Sequence, residues 1–408
     1  MKVGSRLEQF RGRLSNGGIE GPLTAGSWDQ AAVPCREDPR ILFVQYTNPA
    51  AYPPLQHSSQ ILAEAGWNVR FLGRDSFGLS RTLRFPPHPR IRTTRVRLRT
   101  GLSGKLCYSF FCLRVLWTAL WWRPSWIYAS DLWSCFPAIL ASVVARRRVI
   151  FHEHDSPGVE SGPWLKLRKW LARRARLNVL PNEARAQAFR EQTGAHLVQV
   201  VRNFPSVQEV ASPREQRRGR FVLHYHGNIS PQLLPLAVVE ALKDLPSDVV
   251  LRIVGYETIG NVGYCKKIME TGASFGVAER ILILPAVPRF ELLEICRDAD
   301  VGLAFFPAVR KAADSFAGAS NKVFDYLCSG LPVLCADNSE WRALFSVDAR
   351  AISHAASDAD SIRMAVFQLY SQRQDVHRMG ECGRRRILAE WNYEAEFQPV
   401  LKILRSHS

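Results

Sequence analysis

None of the nine cysteines stands in a Cys-x-x-Cys pair. A structural zinc site and a disulfide framework therefore have no anchor. Cys328 and Cys335, set in apolar runs, read as buried free thiols of a reducing compartment. The opening segment MKVGSRLEQFRGRLSNGG lacks the apolar core of a secretory signal, so a cytoplasmic protein is expected. Long uninterrupted apolar runs are also scarce. Residues 106–122, LCYSFFCLRVLWTALWW, reach only the lower limit for a membrane span, and Arg114 sits in their middle. With 47% hydrophobic and 22% charged residues the chain is globular, and 408 residues suit two domains.

Acidic residues are short in one half only. Residues 1–200 carry 29 Lys+Arg against 13 Asp+Glu, whereas residues 201–408 carry 25 against 24. The formal charge of +17 thus belongs to the first half, which should meet something anionic: nucleic acid, an acidic polymer or the anionic face of a membrane. The stretch RIRTTRVRLRTGLSGK, 90–105, adds positive charges and no negative one. No nucleic-acid reader fold accompanies it, so a nucleic-acid partner is not expected. Residues 106–122 then read as a core helix, or as a helix with one face in the core and Trp117, Trp121 and Trp122 near a lipid interface. The second reading puts the protein at the inner face of a membrane as a peripheral partner.

Buried-strand runs alternate with helical segments along the rest of the chain. ILFVQYT (41–47), VRFLG (69–73), SWIYASD (125–131), RRVIFHE (147–153) and LNVLPNE (177–183) read as parallel strands of a first α/β domain. RFVLHYHGN (220–228), VVLRIVGYE (249–257), RILILPAV (280–287), DVGLAFFP (300–307) and LPVLCAD (331–337) repeat the rhythm in a second. The expected architecture is an irregular extension over 1–38, a basic Rossmann-like domain over 39–202 and a second Rossmann-like domain over 203–385. Ligands of such sheets bind outside the carboxyl ends of the strands, in the cleft between the domains.

FHEHDSPG, 151–158, falls at one of those strand ends. Its His152, Glu153, His154 and Asp155 admit three uses. They can ligate a metal, but no other histidine of the chain joins a second His/carboxylate cluster at ligand spacing. They can tie a turn at Asp155-Ser156-Pro157-Gly158 to the strand. They can face a substrate.

ASNKVFDYLCSGLPVLCAD, 319–337, resembles the nucleotide-sugar glycosyltransferases of the GT-B fold, in particular the large retaining group called family 4. Asn321, Lys322, Asp325, Gly330, Pro332 and Val333 carry the likeness. VVRNFPS, HYHGNIS, LRIVGYE, ILILPAV and the tail CGRRRILAEWNYEAEF follow in family order. The resemblance implies a GT-B architecture whose closing helix, 386–408, packs back on the first domain. It implies a nucleotide-sugar held by Gly227, Asn228, Val287, Ser320, Asn321, Lys322 and Asp325. A helix start near Ser320 would offer N–H groups and its dipole to a diphosphate, Lys322 would add a charge, and Asp325 would take ribose hydroxyls. The plainer reading is that Ser320 caps the helix and Lys322 is solvated.

The chain departs from the family where a glutamate often touches the donor sugar; here Ala317 stands. Asp314, Ser315 or backbone groups would then recognise the sugar. HGNISPQLLPLAV lacks the basic pair that many relatives set against the leaving phosphate, leaving Arg310, Lys311 or Lys322 as substitutes. For FHEHDSPG the resemblance favours the substrate-facing use. His154, or alternatively His152, meets a sugar hydroxyl or the acceptor proton, with Glu153 or Asp155 orienting it or touching the acceptor. The expected activity is retaining, metal-independent sugar transfer to a lipid-linked or polysaccharide acceptor, with no cofactor. A nucleotide-sugar 2-epimerase on the same fold and a non-catalytic partner subunit are the alternatives.

Overall fold

The computed structural model describes residues 38–75, 81–97, 103–157, 161–213, 219–307, 311, 315–337, 339–345 and 351–406. Of the extension expected over 1–38 only Asp38 is described, and Gly158, Arg310 and Asp314 also lie outside these residues.

The first half forms β1 (Arg40–Gln45), α1 (Pro53–Glu64), β2 (Asn68–Arg74), β3 (Ile91–Val96), α2 (Gly104–Trp121), β4 (Trp126–Ser130) and α3 (Cys135–Val144). It continues through β5 (Arg148–His152), α4 (Pro163–Arg174), β6 (Leu177–Leu180), α5 (Glu183–Thr193) and β7 (Val198–Val200). These strands make a seven-stranded parallel sheet in the order β3-β2-β1-β4-β5-β6-β7. β1 and β4 are buried on both faces, as continuous apolar runs in a helix-covered parallel sheet must be. Pro53 and Pro54 start α1, where their missing N–H groups cost nothing. β3 is not among the strands expected from the sequence. It lies within the basic stretch, pairs with β2 at the sheet edge, and its Arg92 and Arg95 keep that edge charged.

The second half forms β8 (Phe221–Asn228), α6 (Ala237–Ala241), β9 (Val249–Tyr256), α7 (Tyr264–Ser274), β10 (Ile281–Pro285), α8 (Arg289–Arg297) and β11 (Val301–Ala304). It ends with α9 (Asn321–Cys328), β12 (Val333–Ala336), α10 (Ser339–Leu344), β13 (Ile352–Ala355), α11 (Ala359–Ser371), α12 (Arg373–Ala389) and α13 (Tyr393–Ser406). Six parallel strands order as β10-β9-β8-β11-β12-β13. The architecture is therefore α/β, with two Rossmann-like sheets.

The last helix belongs to the first sheet. Tyr393, Phe397, Val400, Leu401 and Leu404 recur on one face of α13 and enter the core formed by Ile41, Phe43, Trp67 and Trp126. Glu396 fixes the turn into the linker, accepting from Arg202 through its backbone N–H and its guanidinium, both at 2.9 Å. Among the described residues no helix is long and apolar enough to cross a membrane.

In both sheets the chain order reverses beside the central strand, between β1 and β4 and between β8 and β11. Loops leaving the carboxyl ends there diverge and open a crevice. At the first switch stand Gln45 and Asp131; at the second stand Gly227 and Asn228.

Candidate active site

On the first sheet, β5 delivers His152 and His154 to the strand end with their rings 3.7 Å apart. His152 is fully buried and its Nδ1 lies 2.6 Å from the hydroxyl of Tyr128 on β4. Burial, then the neighbouring His154, hold its pKa well below the usual histidine range. His154 lies beside Tyr52, its ring nitrogens have no hydrogen-bond partner, and burial pushes its pKa down to about 4. An imidazole that weak as a base suits hydrogen bonding to a sugar hydroxyl better than removal of an acceptor proton.

Glu153 has neither of the expected uses. Strand alternation sends it to the opposite face, where its two oxygens accept from Arg168 Nε at 2.5 Å and NH2 at 2.7 Å. It is a buried ion-pair partner of α4 and orients no histidine. Asp155 is exposed at the loop. The four residues do not converge on one point, as a metal site would require.

The sequence reading missed Asp131. It follows β4 with φ of 62°, a conformation costly for any residue but glycine. Its Oδ1 accepts the backbone N–H of His154 at 2.8 Å, and its Oδ2 accepts from Gln45 Nε2 at 3.2 Å. Burial raises its pKa to about 6 against these hydrogen bonds. An aspartate after a strand carries no signal of this role, because its partner is a backbone group 23 residues away.

Arg185 of α5 joins the two halves. Its NH1 donates to the carbonyl of His154 at 2.9 Å and its Nε to the carbonyl of Ser315 at 2.9 Å. Asn182 donates to the carbonyls of Ser315 and Ala317, and Asn203 to that of Ala319. The segment leading into α9 is thereby held against the first domain at the His154 loop. Ser315, expected as a donor-sugar contact, spends its hydroxyl on Glu340 at 3.0 Å while accepting from Asn182 at 3.1 Å. Its only proton is spent, so it has no donor left for a sugar.

On the second sheet, Gly227 turns with φ of 102°, and Lys322 fills the space beside it. The Lys322 Nζ lies 3.1 Å from the point a Gly227 Cβ would occupy and over the Tyr225 ring. Burial lowers its pKa to about 8, with Asp325 opposing. Lys322 is thus set over the glycine turn and half-buried there. Lys311 is exposed. Ser320 occupies the cap position of α9 but makes no side-chain cap bond, and Asn321 Oδ1 is buried without a partner. The first N–H groups of α9 are therefore not taken by the serine. Asn228 ends β8, and Val287 is half-buried between β10 and α8.

Asp325 is buried and engaged. It accepts from Arg289 NH2 at 2.8 Å and lies 3.3 Å from His226 Nε2. Burial alone would raise its pKa, but Arg289 and His226 outweigh it and keep the carboxylate ionised. Arg289 in turn binds Glu209 of the linker at 2.6 and 2.9 Å, and Glu209 lies 3.0 Å from His57 Nε2 on α1. This chain of polar contacts runs from His57 of the first domain to α9, and Arg289 in it was not legible from the sequence.

His224, His226 and Cys296 bring their ligand atoms within 4.8 Å of one another, which raises a metal site. The donor set does not fit a cation. Arg252 Nε donates to His224 Nδ1 at 3.2 Å, so Nε2 of that ring carries the proton and points at Cys296 Sγ 3.4 Å away. A protonated ring nitrogen offers no lone pair, so His224 drops out; His226, with Nε2 toward Asp325, keeps Nδ1 3.7 Å from Cys296 Sγ, and two donors alone do not hold a cation.

Residues 236–402 match a family model described as glycosyl transferase-like. HepE from Anabaena, solved in complex with UDP, is 18% identical with a TM-score of 0.68, covering 90% of this chain and 100% of that one. Sucrose-phosphate synthase from Thermosynechococcus elongatus is 14% identical with a TM-score of 0.70, covering 90% and 98%. The lipopolysaccharide outer core galactosyltransferase WaaB is 13% identical with a TM-score of 0.57, covering 90% and 100%. No curated protein sequence matches this chain. Residues 236–402 thus match a glycosyl transferase-like model, and the two sheets together have the GT-B fold of these solved structures.

Proposed function

We propose that the protein transfers a sugar, with retention, from a nucleotide-sugar to a lipid-linked or polysaccharide acceptor. The observation that carries this reading is the Arg185 bridge. It sets His154, a neutral histidine with free ring nitrogens, against the segment that opens α9, where Lys322 overhangs the Gly227 turn.

The donor diphosphate then meets the N–H groups of α9 and the Lys322 ammonium, which neutralise charge as the sugar–phosphate bond breaks. His154 hydrogen-bonds a sugar hydroxyl in its neutral form. The leaving phosphate takes the acceptor proton, and Asp155 contacts the acceptor from the first domain. Asp325 stays ionised between Arg289 and His226 and presents its remaining lone pairs to the ribose. No metal is needed for charge neutralisation when Lys322 and a helix start supply it.

HepE is solved with UDP and with UDP-glucose, so UDP-sugars are the first donors to try. A thermal-shift screen of UDP-, GDP- and ADP-sugars tests the reading. The expected result is a melting point raised by one nucleotide class and not raised in Lys322→Met. No shift with any class, or an unchanged shift in that variant, would contradict it. Incubation with donor alone should leave the sugar unepimerised; a C2 epimer would establish the epimerase instead.

A further inference from the structure

α2 is apolar on two opposite faces. Phe111, Val115 and Ala119 enter the core of the first sheet, and Cys112 is buried. On the other face Phe110, Leu113, Trp117 and Trp121 stay 50–62% exposed. A helix apolar all round is one whose second face is also covered in use. The exposed face continues at both ends. Near the crevice, Tyr108 donates to the carbonyl of Trp133, and Trp133 packs on Trp164 of α4. Trp133 is two residues from Asp131, which holds the His154 loop. At the opposite end, exposed Val143 of α3 borders a cleft lined by Arg146, Arg147, Arg148, Arg174 and Arg176.

Charge decides what covers this face. From residue 76 to residue 152 the chain carries 13 Lys+Arg and a single acid, Asp131. Arginines stack on tryptophans here, among them Arg114 on Trp117 at 4.8 Å, Arg70 on Trp122 at 4.6 Å and Arg174 on Trp170 at 4.7 Å. Arginine guanidinium over an indole, beside exposed leucines, is the composition of a layer between water and hydrocarbon. A second copy of the chain would set arginines against arginines with no acids to pair them.

We propose that the face made by α2, α3 and α4 docks on an anionic lipid bilayer. Its aromatic and leucine side chains enter the interfacial layer, and the arginine cleft takes lipid phosphates. The apolar face then ends at the crevice beside Asp131, so a lipid-linked acceptor reaches His154 directly from the bilayer. This deepens the reading of the acceptor as lipid-linked and rests on it for that last step alone.

Co-sedimentation of the full chain with vesicles of phosphatidylcholine, alone or mixed equally with phosphatidylglycerol, tests the surface. Binding to the mixed vesicles should exceed binding to the neutral ones about tenfold and fall with salt. Phe110→Asp/Trp117→Asp and Arg146→Glu/Arg147→Glu should each lose about tenfold. Met364→Asp, an exposed apolar position on α11, should bind as the unmutated chain does. Brominated lipids should quench tryptophan emission of the unmutated protein, a readout that needs no variant. Equal binding to both vesicles, intact binding in both double variants, or no quenching overturns the proposal. So does a lipid-free dimer that Phe110→Asp/Trp117→Asp dissociates. The nucleotide-induced melting shift reads the transferase function separately, so loss of lipid binding with that shift intact refutes the surface alone.

Discussion

Asp131 Oδ1 accepts the backbone N–H of His154 at 2.8 Å, tying the end of β4 to the loop after β5. The aspartate holds this bond from a backbone conformation, φ of 62°, that only an over-determined site retains. Asp131→Ala removes a charged acceptor from a buried donor, a loss of roughly 1.5–3 kcal/mol. If that loss falls on the His154 geometry, kcat drops about ten- to a hundredfold while the donor-induced melting shift survives. Asp131→Asn keeps an acceptor oxygen and should retain most of kcat. Steady-state kinetics in which both variants turn over alike would show that the carboxylate does not position His154.

Much of the fold was legible because parallel strands buried on both faces are continuous apolar runs. FVLHYHGN and VVLRIVGY read as strands by that rule and are strands. β3 escaped because an edge strand with a solvated face needs no apolar run, and its arginines looked like a charged arm. β7 and β13 escaped because, unlike the equally short but fully buried β6, β11 and β12, their half-exposed residues break the apolar run. Within the site, His152 and His154 could be placed at a strand end, since alternation fixes which residues share a face. Their partners could not. Arg168, Asp131 and Arg289 lie 15, 23 and 36 residues from Glu153, His154 and Asp325, and sequence separation says nothing of such pairs. The same alternation that groups the histidines predicts that Glu153 leaves them, a consequence the functional resemblance obscured.

Lys322 gives the donor site a pH limit. Burial lowers its pKa to about 8, so above that pH the ammonium loses its proton. The nucleotide diphosphate keeps its charge over the same range. Donor affinity should therefore hold from pH 7 to about 8 and fall beyond it, while Lys322→Arg flattens the fall because a guanidinium stays charged. Gly227→Ala should weaken binding as well, since a Cβ would meet the Lys322 ammonium at 3.1 Å. Calorimetric titration across this range checks both. An affinity independent of pH up to 10 would remove Lys322 from the diphosphate site.

Arg289 is the keystone of a buried charge chain, binding Asp325 and Glu209 at once. Arg289→Met leaves two carboxylates without their cation, which costs about 3–5 kcal/mol. Adding Asp325→Asn to that variant removes one stranded charge and should recover part of the loss. Urea midpoints of the single and double variants measure both steps. Additive destabilisation, with no recovery, would mean that Asp325 draws its stability from elsewhere.

His154 makes stability fall on the acid side, and the sign follows from its burial. Unfolded, it takes up a proton near pH 6.5; folded, burial delays this to about pH 4. Between those values the unfolded chain binds more protons, so stability is complete above pH 6.5 and is lost as pH falls toward 4. The full shift is worth about 3 kcal/mol. Asp131 works in the opposite direction, since a carboxyl raised from 3.8 to about 6 favours the folded state as pH drops through that window. The two are separated by comparing the unmutated chain with His154→Gln, in which Asp131 remains. From pH 7 to pH 5 the unmutated chain should lose about 2 kcal/mol more than the variant. Parallel pH profiles of the urea midpoint would show that His154 meets solvent in the folded protein, and with it would go the assignment of a neutral, water-shielded imidazole to the sugar.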